Sequence, residues 1–271
     1  MGRKRHAYAG RPGGGVQSVG TVLSVLRAFI GSEPMPMLKS LAERAGMHPA
    51  KVHRYLASLC KTGYVRQDPD SGRYRLGPAT LRLGHAALNA IPVVRIARPL
   101  LKTVSESHEC SVFVALWSDG GPRIVLQETQ AAPIVVAAHV GSVFPLLTSA
   151  TGRTFAAWLP RSQTEALLNR ELSLLKRKPV PSCPTTLAEA DVMLEGIRRR
   201  GLARATGQLS AAIHGLSAPV FDKLGSICAV VTMLGPAGQF DTRWTGSTAR
   251  SVLETASTIT IALKEAEAAT R

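Results

Sequence analysis

Residues Leu38–Gly77 read LKSLAERAGMHPAKVHRYLASLCKTGYVRQDPDSGRYRLG, and this stretch decides the fold of the first part of the chain. Leu38, Leu41, Ala42 and Ala45 recur at the spacing of one helical face. Gly46 can end that helix, because it takes positive φ without a Cβ clash. Pro49 then sits where a first helical turn tolerates proline. The next helix turns Val52, Leu56 and Leu59 inward, flanked by Tyr55 and Cys60. Ala50, Arg54, Ala57 and Lys61 point outward, with Lys51, His53 and Ser58 at the sides. Gly63 closes the helix. Two alternating runs follow, Tyr64–Asp68 and Arg73–Leu76, joined by the turn signal Pro69-Asp70-Ser71-Gly72.

Helix, tight turn, basic helix and hairpin describe a winged helix-turn-helix. Its second helix fits a DNA major groove, and its hairpin reaches an adjacent groove or the backbone. Helix-turn-helix shapes also serve as protein-binding modules, so the shape alone does not choose. Charge does. The 271 residues hold 33 Lys+Arg against 18 Asp+Glu, a formal net charge of +15. Of these, 14 cations but only 4 acids fall in residues 1–90, on the stretch that reads as a DNA binder. The implied partner is polyanionic. No basic amphipathic helix carries Trp or Phe on its apolar side, which argues against a membrane surface.

Lys51, His53 and Arg54 are the candidate base or phosphate contacts of the recognition helix. Pro49 and Ala50 lie at its N-terminal end. Arg73 and Arg75 are candidate wing contacts, and Lys39 and Ser40 candidate backbone contacts from the preceding helix.

Upstream, residues 1–15 are basic and Gly-rich and read as a disordered tail. Ser18 can cap a helix running to about Ile30, with Val19, Val22, Leu23, Leu26 and Phe29 as its buried stripe. Downstream, residues 79–92 read as a linker helix, apolar on more than one side and suited to packing on a second copy of itself. Pro92 breaks it, and residues 93–271 read as a second, α+β domain. There the sequence predicts a helix at Val93–Ser107 and strands at Cys110–Trp117, Arg123–Thr129 and Ile134–Val140. Helices are expected from Ser149 to Trp158, at Gln163–Arg170 and at Thr186–Arg200, the last stopped by Gly201. Two strands, His214–Phe221 and Ser226–Leu234, precede a last helix at Thr245–Ala268. A mixed antiparallel sheet flanked by helices is the sensible outcome.

The first half, SLAERAGMHPAKVHRYLASL followed by GYV, GRYRLG and LRLG, resembles the DNA-binding half of the IclR family of bacterial transcriptional regulators. GSVFPLLTSATGRTFAAW, the RRRG–L pair around Gly201, and LSAPVFDKLGSICAVVTMLG resemble that family's effector-binding half, in the right order. The resemblance spans about residues 16–265. It implies a winged helix, a linker helix and a GAF-like domain that binds a small organic acid, in dimers that pair into tetramers. It implies a double-stranded, palindromic promoter site as the DNA partner.

The family's ligand pocket maps onto Ala150 and Thr151, and onto Ala205, Ile213 and Gly215. Physical chemistry points independently to Ser149–Gly152: free N–H groups and hydroxyls at a helix N-terminus can hold a carboxylate. The plainer alternative is that Ser149 is only an N-cap and Gly152 only a packing glycine. Some relatives carry an acidic residue at the place of Ala205 and a cysteine at that of Gly215, and Gly207-Gln208 replaces an acidic pair. A less polar, roomier pocket follows, suited to a larger or aromatic acid.

Enzyme readings lack motifs. There is no G-x-S-x-G elbow and no Walker A sequence. His48, His53 and His85 lie on or beside the DNA reader and linker, and His108, His139 and His214 are scattered, without H-x-x-x-H spacing for a metal. No metal or cofactor is expected. Cys60, Cys110, Cys183 and Cys228 form no C-x-x-C pair, which fits reduced thiols in a cytoplasm. The alternatives to a DNA-binding regulator are a ligand-sensing adaptor or a small-molecule enzyme.

Overall fold

The computed structural model describes residues 16–31, 33–129 and 138–269, which divide into two compact units at Ala87/Leu88. The expected tail lies outside the described residues. So does most of the strand expected at Ile134–Val140, whose described end is not strand.

The first unit opens with α1 (Gln17–Arg27), α2 (Leu38–Ala45) and α3 (Pro49–Lys61). The cap of α1 is Val16, without a side-chain bond, and Ser18 lies inside the helix. Its buried side is also rotated from the expected stripe. Val25, Ala28 and Phe29 enter the core with Val22 and Leu26 against it, whereas Val19 and Leu23 are exposed. A stripe of alternating apolar residues fits two adjacent faces of one helix, and only the neighbours choose between them. Arg44 of α2 closes the end of α1, its guanidinium donating to the carbonyls of Ala28 and Ile30.

Gly46 follows α2 at φ 63°, and its N–H bonds back to Glu43. This left-handed residue lets the chain turn in three residues into α3, where Pro49 occupies the first turn. Val52, Leu56 and Leu59 fill the core against Leu41 and Val25. The hairpin β1 (Val65–Gln67) and β2 (Tyr74–Leu76) then folds over them, with Val65 and Tyr74 buried. Gly77 follows it where a Cβ would lie 2.2 Å from the Gly63 carbonyl oxygen, so no larger residue fits. The helix α4 (Pro78–Asn89) comes next and has no buried residue.

The second unit is built on a five-stranded sheet of order β4-β3-β7-β6-β5, every neighbouring pair antiparallel. The strands are β3 (Ser111–Ser118), β4 (Gly121–Thr129), β5 (Ala203–Thr206), β6 (Ile213–Phe221) and β7 (Ile227–Pro236). One face carries α5 (Pro92–His108) and α9 (Ser247–Ala269). Val94, Ala97, Leu101, Val252 and Ile259 pack there on Val112, Leu216, Val231 and Met233. The other face carries α6 (Ala150–Trp158), with Phe155 on Phe113, Ala115 and Val230. Outside α6 lie α7 (Arg161–Arg177) and α8 (Leu187–Arg200).

Two sequence expectations change here. The short helix at Gln163–Arg170 is the first half of α7, which continues because Leu168, Leu172 and Leu175 keep one buried face. Strand β5 was not expected. Its four residues, Ala-Arg-Ala-Thr, pair with β6 as an edge strand and alternate small and polar side chains too briefly to announce themselves.

Candidate DNA interface and effector cavity

In the first unit the chemistry gathers around α3. His48 caps the helix, its ring nitrogen accepting from the Ala50 N–H at 3.3 Å. Ala50, Lys51 and Arg54 are exposed along one side, where they share a groove with His48, Tyr55 and Ser58. His53 and Ala57 line a second groove on the other side, against Arg66, Gln67 and Arg75 of the hairpin. The helix therefore stands as a ridge with cations on both flanks, and its buried side is wholly apolar. This is the shape and charge that a major groove accepts. Pro49 is exposed at the leading end, Lys39 is exposed on the first turn of α2, and Ser40 is half-buried.

The hairpin separates its arginines. Arg75 is exposed and lies directly across the ladder from Arg66, which sequence reasoning passed over. Arg73 is engaged inside the unit instead. Its guanidinium donates to the Met35 carbonyl at 2.8 Å and to the Glu33 carboxylate at 3.2 Å. Beside it, the Tyr74 N–H donates to the Pro36 carbonyl. Arg73 thus ties the wing to the segment before α2, and the expectation of a free wing cation passes to Arg66 and Arg75. The turn is fixed by Asp68, whose carboxylate accepts from the Ser71 amide and hydroxyl; those bonds hold its pKa below the usual carboxylate value.

In the second unit, six of the seven expected effector residues meet in one cavity. Ser149, Ala150 and Thr151 come from the start of α6, Ala205 from β5, and Ile213 and Gly215 from β6. Phe144, Leu209, His214 and Leu234 complete the wall. Ala205 pairs with Gly215 across the ladder, which puts both on the α6 face.

Gly152 lies outside the cavity. A Cβ there would sit 2.0 Å from the Pro145 carbonyl oxygen, so the close approach of α6 to residues 145–146 demands glycine. Its N–H is taken by the Ser149 hydroxyl at 2.9 Å, and that hydroxyl donates to Pro145. Ser149 is therefore an N-cap and Gly152 a packing glycine, and neither offers a free group to a carboxylate. Thr151 is also engaged, its hydroxyl 2.8 Å from that of buried Thr232. Thr154 makes the same kind of bond to Ser217 at 2.7 Å. These two buried hydroxyl pairs pin one face of α6 to β6 and β7.

The turn before α6 is held from outside. The Glu171 carboxylate accepts from the Leu146 and Leu147 amides at 2.7 and 2.8 Å. Burial still raises its pKa, the two amides offsetting only part of the desolvation. The expected roominess is absent: Phe144, Leu209 and Leu234 close the cavity to about 20 Å³, roughly the space of one water.

Residues 18–69 match the model of the IclR helix-turn-helix domain. Residues 85–261 match that of the bacterial transcriptional regulator IclR C-terminal domain. Transcriptional repressor IclR of Escherichia coli (strain K12) is 25% identical over 263 residues, 96% of this chain and 95% of that protein. Pseudomonas aeruginosa HmgR superposes with a TM-score of 0.77 at 36% identity, over 92% of this chain and 100% of that one. An IclR homologue from Microbacterium hydrocarbonoxydans, solved with 4-hydroxybenzoate, superposes with a TM-score of 0.75 at 20% identity, over 90% and 98% of the two chains. The curated relatives are named as transcriptional regulators and repressors, a non-enzyme role. This chain, with its helix-turn-helix DNA-binding domain and its C-terminal effector-binding domain, belongs to the IclR family of transcriptional regulators.

Proposed function

We propose that this regulator sets the occupancy of a palindromic promoter site according to the level of a small aromatic or other bulky carboxylic acid. One observation carries the reading: Ser149, Ala150, Thr151, Ala205, Ile213 and Gly215 converge on a single, mostly apolar cavity at a helix N-terminus. The amides of Ala150 and Thr151 open α6, where a helix offers N–H groups and a positive dipole end to a carboxylate. His214 adds a polar group. Phe144, Ile213 and Leu234 would hold a ring. The bound 4-hydroxybenzoate of the Microbacterium relative is consistent with such an acid.

Because the cavity is nearly closed, an acid must open it, and the opened form is the one it stabilises. A ligand shifts an equilibrium only through its differential affinity for two states. That difference is the source of the regulation.

The reader acts as a pair. Val16, the cap of α1, is exposed together with Val19 and Leu23 of that helix, as are Leu81 and Leu83 of α4, which buries nothing. A second copy of the chain covers these faces in a homodimer, and two dimers can pair. Two recognition helices then enter successive major grooves of a symmetric site.

The test is fluorescence anisotropy on duplexes from the gene's own upstream region, with and without 4-hydroxybenzoate, pyruvate and glyoxylate. Salt-dependent, competitor-resistant binding that shifts with the aromatic acid supports the reading. Pyruvate or glyoxylate as the tightest ligand overturns the aromatic assignment; no duplex binding under any condition overturns the whole.

A further inference from the structure

The second unit holds another concave site, at the edge strand β5 where α8, Arg153 of α6 and the loop before α9 meet. Arg153, Arg199, Arg200 and Arg204 line it with Trp244, Thr206 and Gln208, and among the described residues no carboxylate does. Strand alternation separates the two sites: Ala205 faces the effector cavity, and its neighbours Arg204 and Thr206 face the arginine cleft.

The cleft is assembled rather than accidental. The Arg204 guanidinium lies 4.2 Å from the centre of the Trp244 ring, and that of Arg200 lies 4.9 Å from it. One indole thus holds two like charges side by side, which cation–π attraction favours and mutual repulsion opposes. Arg204 is further fixed by a bond to the Thr242 carbonyl, and Arg200 by one to Gly196. Arg153, 6% exposed, makes up the floor; it donates to the Leu147 and Arg204 carbonyls. Burial lowers its pKa and the nearby Arg204 adds to that, while the Cys183 sulfur, 3.5 Å from the guanidinium, opposes them; no carboxylate does. Four clustered guanidinium groups without an acid are an unbalanced charge, and planar guanidinium forks match oxyanions in pairs.

We propose that this cleft is a second ligand site, for a small, multiply charged oxyanion of the phosphate or polycarboxylate kind. Arg199, Arg200 and Arg204 bind the anion at the rim, while Arg153 supplies charge from below. Because Arg153 also grips Leu147, in the turn that leads into α6, occupancy of the cleft bears on the effector cavity. The proposal does not depend on which acid fills that cavity.

The test uses the full-length protein at constant ionic strength, titrated with pyrophosphate and separately with citrate, read by calorimetry and tryptophan fluorescence. The two probes distinguish a phosphate from a carboxylate source. Saturable binding of either is expected, weakened about tenfold or more in Arg199→Gln and in Arg204→Gln, as befits loss of a charge-assisted pair. Arg177→Gln, on the exposed end of α7, should bind as the unaltered protein does. Trp244→Phe should remove the fluorescence response. Arg199 is exposed, so its variant tests the site without threatening the fold. Failure of both probes to saturate, equal binding by all variants, or binding of duplex DNA alone at this cleft overturns the proposal.

Discussion

Arg66 and Arg75 face each other directly across the two-stranded wing, both exposed. Like charges at opposed positions of an antiparallel pair are destabilising. The arrangement makes sense when an anion lies against both. Replacing either with Gln should weaken binding to every duplex alike and lower the salt slope by about one unit. The melting temperature should stay level or rise slightly. Anisotropy at several salt concentrations reads the first effect and thermal denaturation the second. A melting temperature that fell along with affinity would mean these arginines support the wing rather than the DNA contact.

Arg54 tests a different property. It lies on the exposed side of α3 with Lys51 and Ser58, in the groove opposite that of His53. If it reads a base, Arg54→Ala should cost about 1–3 kcal/mol and relax discrimination at one position of the site. A phosphate contact would instead weaken all sequences alike. Selection from a randomised duplex pool distinguishes the two outcomes, and unchanged binding would mean that this side of α3 faces away from DNA.

Much of the DNA reader was legible because its determinants are local. The inward triad Val52, Leu56 and Leu59, the left-handed Gly46 and the Pro69–Gly72 turn each act within a few residues. The engagement of Arg73 within the unit was not local. It depends on Glu33 and Met35, about 40 positions upstream, which claim the Arg73 guanidinium. Strand β5 escaped notice for a similar reason: Ala203–Thr206 is a strand because β6 pairs with it, not because its residues favour extension. At the start of α6 the sequence left two readings open, a carboxylate site or an N-cap with a packing glycine, and Ser149 and Gly152 take the second. Only the closeness of Pro145 shows that Gly152 exists to let α6 approach.

The cavity's shape yields a prediction about Gly215. A Cβ there would lie 2.6 Å from Leu234 Cδ2, the end of a flexible side chain that can turn aside. Gly215→Ala should therefore fold and still bind DNA, while the opened cavity loses space. The expected result is weaker acid binding with the acid-free operator affinity preserved. Thr151→Val probes the frame. It leaves the buried Thr232 hydroxyl without its 2.8 Å partner and should cost about 1–3 kcal/mol of stability. Calorimetric titration of the acid and chemical denaturation separate the two effects. Equal acid affinity in Gly215→Ala would remove Gly215 from the site.

The pH dependence should be traceable to Asp241, in the loop that presents Trp244. Its carboxylate accepts from the Arg243 guanidinium and amide, and these bonds hold its pKa down at about 2, against an ordinary value of 3.8. A carboxyl whose folded pKa is depressed binds its proton more readily when unfolded. It therefore adds stability above the unfolded pKa, and that contribution fades as pH falls from about 3.8 towards 2. Asp241 is half-buried but its partner Arg243 is exposed, so the effect should be small and should shrink with added salt. Asp241→Asn should melt below the unaltered protein at neutral pH, and the gap should close towards pH 2. Melting curves of the two proteins from pH 2 to 7, at low and high salt, measure that gap. A gap independent of pH would mean that the loop is held by shape rather than by the ionised carboxylate.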